Sequence, residues 1–124
     1  MTVHLDTSAL IDALTGPRRS LDRLIGLAEE GHRLSISAIV LYEWLRGPRS
    51  HEELSAQEEL FPRSSAVPFG AEQATVAARL YGSAKRGRGR EIDLAIAACA
   101  LQDNATLWTL NRADFRDLAD LTLL

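Results

Sequence analysis

Short apolar runs alternate with helix-period segments along the whole chain, and that alternation leaves few folds open. The candidate strands are Val3–Leu5, Leu34–Ser37, Ser65–Phe69, Ala105–Thr109 and Leu121–Leu124. Between them, Ser8–Leu14 has helical spacing and is stopped by Gly16-Pro17. A second helix carries Leu21, Leu24, Ile25, Leu27 and Ala28 on one face and ends at Gly31. Ser37 is placed to cap a helix running through Glu43 and Leu45 to Gly47-Pro48. His51–Leu60 reads as an acidic surface helix, and Ala71–Ala84 as a helix packed through Ala74, Ala77, Leu80, Tyr81 and Ala84. Ile92–Leu101 is alanine-rich and nearly apolar, hence buried, and Arg112–Phe115 makes a helical turn. Short strands alternating with helices predict a mainly parallel sheet covered on both faces, a three-layer α/β fold. With 124 residues, 46% of them hydrophobic, the chain suits one domain over residues 1–124.

Composition removes several function classes. A net charge of −3 argues against broad nucleic-acid coating while leaving room for a local basic patch. The single cysteine, Cys99, rules out an internal disulfide, and its alanine-rich surroundings mark a buried thiol rather than a nucleophile. No apolar stretch is long enough to span a membrane, and Asp6 interrupts the start too early for a signal peptide, so the expected setting is cytoplasmic.

Four acids stand apart from the surface carboxylates. Asp6 follows the first strand, Glu43 lies inside "AIVLYEWLRG", Asp93 begins "DLAIAACAL", and Asp114 sits in "TLNRADF" after a later strand. Each has a structural explanation of its own. Asp6 and Asp114 can cap helical turns, Asp93 can favour a helix dipole, and Glu43 can pair with Arg46. Together they suggest more, because carboxyl ends of parallel strands converge at one edge of the sheet. Carboxylates gathered there repel one another unless some stay protonated or a cation holds them. Oxygen ligands alone select hard ions such as Mg²⁺ or Mn²⁺. Zinc is disfavoured, since Cys99 shows no ligand spacing with His4, His32 or His51, which read as surface or strand residues.

These segments resemble, in order, the motifs of PIN-domain ribonucleases, and more narrowly of VapC-type toxins of toxin–antitoxin pairs. "LDTSALID" resembles the opening motif, "ISAIVLYEWLRG" the segment of the second acid, "EIDLAIAACAL" that of the third, and "ATLWTLNRADF" the closing motif. The resemblance implies a PIN-like α/β/α fold with Asp6, Glu43 and Asp93 as metal ligands, supported by Thr7 or Ser8. It implies that Asn111 and Asp114 flank the site, Asp114 with a lesser role. It further implies Mg²⁺- or Mn²⁺-dependent cleavage of RNA, a homodimer, and neutralisation by a small antitoxin. One departure is Val40, which stands where the family often has a hydroxyl residue, so a hydrogen bond to the second acid is expected to be missing.

Lys85, Arg86, Arg88 and Arg90 in "AKRGRGRE" either grip RNA phosphates beside the acids or form a solvated loop at a helix end. Trp44, Trp108, Tyr42 and Tyr81 lie in apolar runs and read as core. A phospho-receiver domain is a poor alternative, because the only lysine, Lys85, precedes a helix instead of following a late strand. A non-catalytic PIN-like module that binds RNA or a protein partner remains the other alternative. Apolar residues around Leu21–Leu27 and Leu41–Leu45 exceed what a small core needs, and suit a self-association or antitoxin surface.

Overall fold

The computed structural model describes residues 1–124. Three parallel strands, β1 (Thr2–Leu5), β2 (Arg33–Ser35) and β3 (Thr106–Trp108), pair in the order β2-β1-β3. Six helices connect them: α1 (Thr7–Leu14), α2 (Leu21–Glu29), α3 (Ala38–Arg46), α4 (His51–Leu60), α5 (Ala71–Ser83) and α6 (Glu91–Gln102). Along β1, Val3 and Leu5 point to one face and His4 to the other, and all three are buried. Both faces are therefore covered, as the alternating pattern requires.

Two expected strands are reduced to single bridges. Val67 pairs only with Ser37, and Leu123 only with Leu107. The Ser65–Phe69 ladder cannot lengthen because Ser37 leaves the sheet to cap α3, while Arg63–Ser65 winds into a 3₁₀ turn. The Leu121–Leu124 ladder stops because β3 ends at Trp108, where Thr109 turns toward Asp6. Counting both bridges, the order is Val67-β2-β1-β3-Leu123. α1 packs against α2, α3 and α4, while α5 packs against α6. The order reverses beside β1, and the carboxyl ends of strands at such a reversal are where α/β sheets hold ligands.

Three local devices set the helix starts. Asp6 caps α1, Ser37 caps α3 by accepting from the Val40 N–H, and Ser50 with Glu53 forms a reciprocal capping box on α4. The core gathers Trp44, Trp108, Phe115, Leu5, Leu10 and Ile36. Both tryptophans are core, as expected, but Tyr42 and Tyr81 are not: they are 55% and 46% exposed. The buried side of α5 runs through Val76, Ala77 and Leu80, leaving Ala74 and Tyr81 outside. The larger Val76 and Leu80, more than the alanines, decide which face turns inward. No helix is long and apolar enough to cross a membrane.

Candidate active site

Asp6 sits where β1 gives way to α1. Its Oδ1 accepts the Thr7 N–H at 2.8 Å, and its Oδ2 accepts the Thr109 hydroxyl at 2.7 Å and the Ser8 hydroxyl at 3.2 Å. Only 5% of Asp6 is exposed. Burial pushes its pKa upward against those three hydrogen bonds, and the nearby Glu43 charge adds to the rise. Thr109 was not singled out from the sequence. It is a β-branched hydroxyl residue closing β3 opposite Asp6, and in one turn it also accepts the Asn111 N–H at 3.0 Å. Ser8 completes the lattice by accepting the Leu110 N–H at 3.0 Å. The strand ends of β1 and β3 are thus stitched together through hydroxyls.

Glu43 reaches the same place from α3. Its Oε1 accepts the Thr7 hydroxyl at 2.6 Å, while Oε2 lies 3.2 Å from the Arg46 guanidinium one helical turn on. Thr7 therefore serves two acids, its N–H going to Asp6 and its hydroxyl to Glu43. Val40 is wholly buried and offers Glu43 no hydrogen bond, as expected; the hydroxyl that Glu43 accepts from is that of Thr7.

Asp93 lies in the first turn of α6. Burial and the charges of Asp6, Asp114 and Glu43 push its pKa up to about 6, opposed by Arg90. Here the four acids meet electrostatically, although no group of three His, Cys, Asp or Glu side chains closes to metal-ligand spacing. The donor set suits a hard divalent cation. It is all oxygen, it is mutually repulsive, and the Asp93 carboxylate accepts no hydrogen bond from any neighbour. Cys99 takes no part, since it is fully buried with its thiol pKa pushed up to about 11.

Asn111 and Asp114 bound a 3₁₀ turn at the exposed lip. Arg90 braces it from α6. The guanidinium binds both Asp117 carboxylate oxygens, at 2.8 and 2.9 Å, and the Asp114 carbonyl oxygen at 2.6 Å. Three of its five N–H donors are thus committed within the protein. Lys85, Arg86 and Arg88 are exposed, and Lys85 and Arg86 join Arg116 along a cleft beside Asp114.

Comparison with known proteins fits this geometry. The PIN-domain family matches residues 3–121. The chain belongs to the PIN-domain family. Ribonuclease VapC19 of Mycobacterium tuberculosis is 33% identical to this PIN domain over 123 residues, covering 94% of each chain. Among solved structures, VapBC2 from Rickettsia felis bound to a DNA fragment from its promoter superposes with a TM-score of 0.78. It is 25% identical, with 100% of this chain and 98% of that chain covered. DNA-bound VapBC from Salmonella typhimurium gives a TM-score of 0.79 at 18% identity, covering 100% and 97%, and speaks for the fold alone. The likeness read from the four sequence segments is borne out, and with it the α/β PIN fold.

Proposed function

We propose that this PIN domain is an endoribonuclease acting as the toxin of a toxin–antitoxin pair, with Mg²⁺ or Mn²⁺ held by Asp6, Glu43 and Asp93. What supports the reading is that Asp6 follows β1, Glu43 lies on α3 and Asp93 lies in the first turn of α6, with the charges of Asp6, Glu43 and Asp114 all bearing on Asp93. Such a concentration of negative charge destabilises the fold unless a cation compensates it. When bound, the ion supplies positive charge for the phosphoryl oxygens and acidifies coordinated water. Hydrolysis joins a water oxygen to phosphorus and breaks one P–O bond, the departing ribose oxygen taking up a proton.

The chain's own residues divide the remaining work. Thr7, Ser8 and Thr109 hold Asp6 and Glu43 in place through their hydroxyls and one N–H. Asp114 and Asn111 stand at the lip, where they orient water or substrate. Lys85, Arg86 and Arg88 bind RNA phosphates and offset repulsion between the polyanion and the acids. Arg90, named beside them from the sequence, steadies the lip through Asp117.

Two partners accompany this reading. Ile25, Leu45 and Leu60 are 44%, 45% and 46% exposed, and an apolar cleft lies among Leu24, Ile25, Ala28, Leu34, Leu60 and Phe61. Such surface suits a homodimer contact and an antitoxin segment. The test of function is Asp93→Asn, assayed for Mn²⁺ binding, RNA cleavage and growth inhibition. All three should fall together. Persistent toxicity without cleavage would favour the binding-only module.

A further inference from the structure

The most isolated polar contact in the protein lies far along α6 from Asp93. His4, in the middle of the central strand, is 1% exposed, and its Nε2 is 2.7 Å from Oδ2 of Asp103. Asp103 is the residue that ends α6. Each is misplaced by itself. An unpartnered imidazole inside a sheet layer is costly. A carboxylate at a helix C-terminus meets the negative end of the dipole. Paired, each removes the other's penalty, and the pair joins the only two elements that deliver Asp6 and Asp93.

Packing explains why such a tie matters. The buried stretch of α6, Leu94–Ala100, includes Ala95, Ala97, Ala98 and Ala100. With alanine at four of these seven positions, only Leu94, Ile96 and Cys99 key α6 into the core, so few side chains resist a shift along its axis. A directional hydrogen bond at 2.7 Å opposes that shift. Asp6 stands two residues beyond His4, just past the end of β1, and Asp93 stands ten residues before Asp103, the residue that caps the other end of α6. Helix and strand are both stiff, so fixing one end fixes the other.

We propose that His4 and Asp103 are positioning residues, whose half-buried hydrogen bond sets the register of α6 against β1 and hence the spacing of Asp93 from Asp6. The proposal rests on the metal-site reading of those acids for its functional consequence, but not for its structural one. Neither residue touches substrate or ion.

The test uses the full chain with MnCl₂ as the probe, read by calorimetry, alongside crystal structures. Asp103→Ala should weaken Mn²⁺ affinity on the order of tenfold, as losses of supporting contacts behind metal ligands do, with α6 displaced along its axis. Asp103→Asn retains an acceptor and should restore affinity to near wild type. The double variant His4→Leu/Asp103→Ala separates positioning from plain stability. With both polar groups gone, thermal stability should recover while affinity stays low. Leu121→Ala, at a buried core position outside the site and the apolar cleft, sets the scale for stability loss alone and should leave affinity unchanged. The proposal is overturned if Asp103→Ala binds Mn²⁺ like wild type with α6 unmoved, or if the double variant regains affinity along with stability. If wild type itself neither binds Mn²⁺ nor cleaves RNA, the functional reading fails. The register of α6 in the Asp103→Ala crystal then decides the structural proposal alone, displacement supporting it and an unmoved helix overturning it.

Discussion

The two ends of α6 handle a half-buried carboxylate in opposite ways. At the C-terminus, Asp103 is matched by His4 at 2.7 Å. At the N-terminus, Asp93 accepts no hydrogen bond and feels three other acids, with Arg90 the single opposing charge. The helix dipole favours Asp93 and disfavours Asp103, so local rules would assign the problem to the wrong end. What differs is the neighbourhood. One end is satisfied within the chain, and the other is left in conflict, as expected where a site trades stability for binding. Arg90 sharpens the contrast, because it hydrogen-bonds Asp117 and the Asp114 carbonyl and reaches Asp93 only through its charge.

Removing the charge at the conflicted end gives the largest expected effect. Asp93→Asn should reduce Mn²⁺-dependent RNA cleavage about a hundredfold or more, measured with a fluorescent oligonucleotide at saturating metal. The same variant should melt higher than wild type without metal, because one repelling charge is gone. A loss of activity accompanied by a lower melting temperature would mean that Asp93 serves the fold.

Metal should produce the next effect in size, and pH should expose its cause. Saturating Mg²⁺ or Mn²⁺ stabilises the native state by about 2.7 kcal/mol at a hundred times Kd, visible as a thermal shift. In the metal-free protein the sign follows from Asp93, whose pKa rises from 3.8 to about 6. Between those values the folded chain holds a proton that the unfolded chain has released. This contribution therefore lowers stability as pH rises from 3.8 to about 6, and the full penalty persists above. Urea melts across that range should show the slope in wild type and its reduction in Asp93→Asn. Asp6, also shifted upward, leaves a remainder of the same sign.

How much of this contrast could be read in advance depends on whether the information was local. "LDTSALID" announced Asp6 as both cap and strand-end acid, and the structure shows it capping α1. The alanine-rich run after Asp93 announced a buried helix, and Leu94–Ala100 are all buried. Hydrogen bonds across the chain were not local. Thr109 reaches Asp6 over 103 positions and Thr7 reaches Glu43 over 36, so neither bond has any signature in its own segment. His4–Asp103 was hidden for the same reason, as a histidine and an aspartate 99 positions apart. Bridges at Val67 and Leu123 looked like strands because their residues are strand formers. How far each ladder ran was decided by its neighbour.

Cutting the brace at the conflicted end should have an intermediate effect. Arg90→Ala breaks a two-pronged contact to Asp117 whose side chains are 19% and 18% exposed. Charged hydrogen bonds this sheltered contribute about 1.5–3 kcal/mol. Arg90→Lys should recover little, because an ammonium cannot make the planar double contact. Asp117→Asn should weaken the same brace. In all three variants the salt dependence of RNA binding should match wild type, since a guanidinium spent on Asp117 is not releasing counterions from phosphate. A changed slope would return Arg90 to the phosphate-binding group.

The smallest effects belong to the exposed cations beside that brace. Lys85 and Arg88 have no ion-pair partner in the protein and lie in the loop leading to Asp93. If they bind phosphate, each alanine substitution removes about one released counterion, and the slope of log affinity against log salt should flatten by ~1. Binding then weakens similarly for every RNA sequence, because phosphate contacts carry no base information. At saturating RNA the cleavage rate should be nearly unchanged, since binding was lost equally from ground and transition states. Thermal stability should stay within about 0.5 kcal/mol of wild type, as for other exposed positions. The outcome against this assignment is an unchanged salt slope in the double variant Lys85→Ala/Arg88→Ala. The loop would then be a solvated link between α5 and α6, and the RNA would have to approach the acids from the Arg116 side of the cleft.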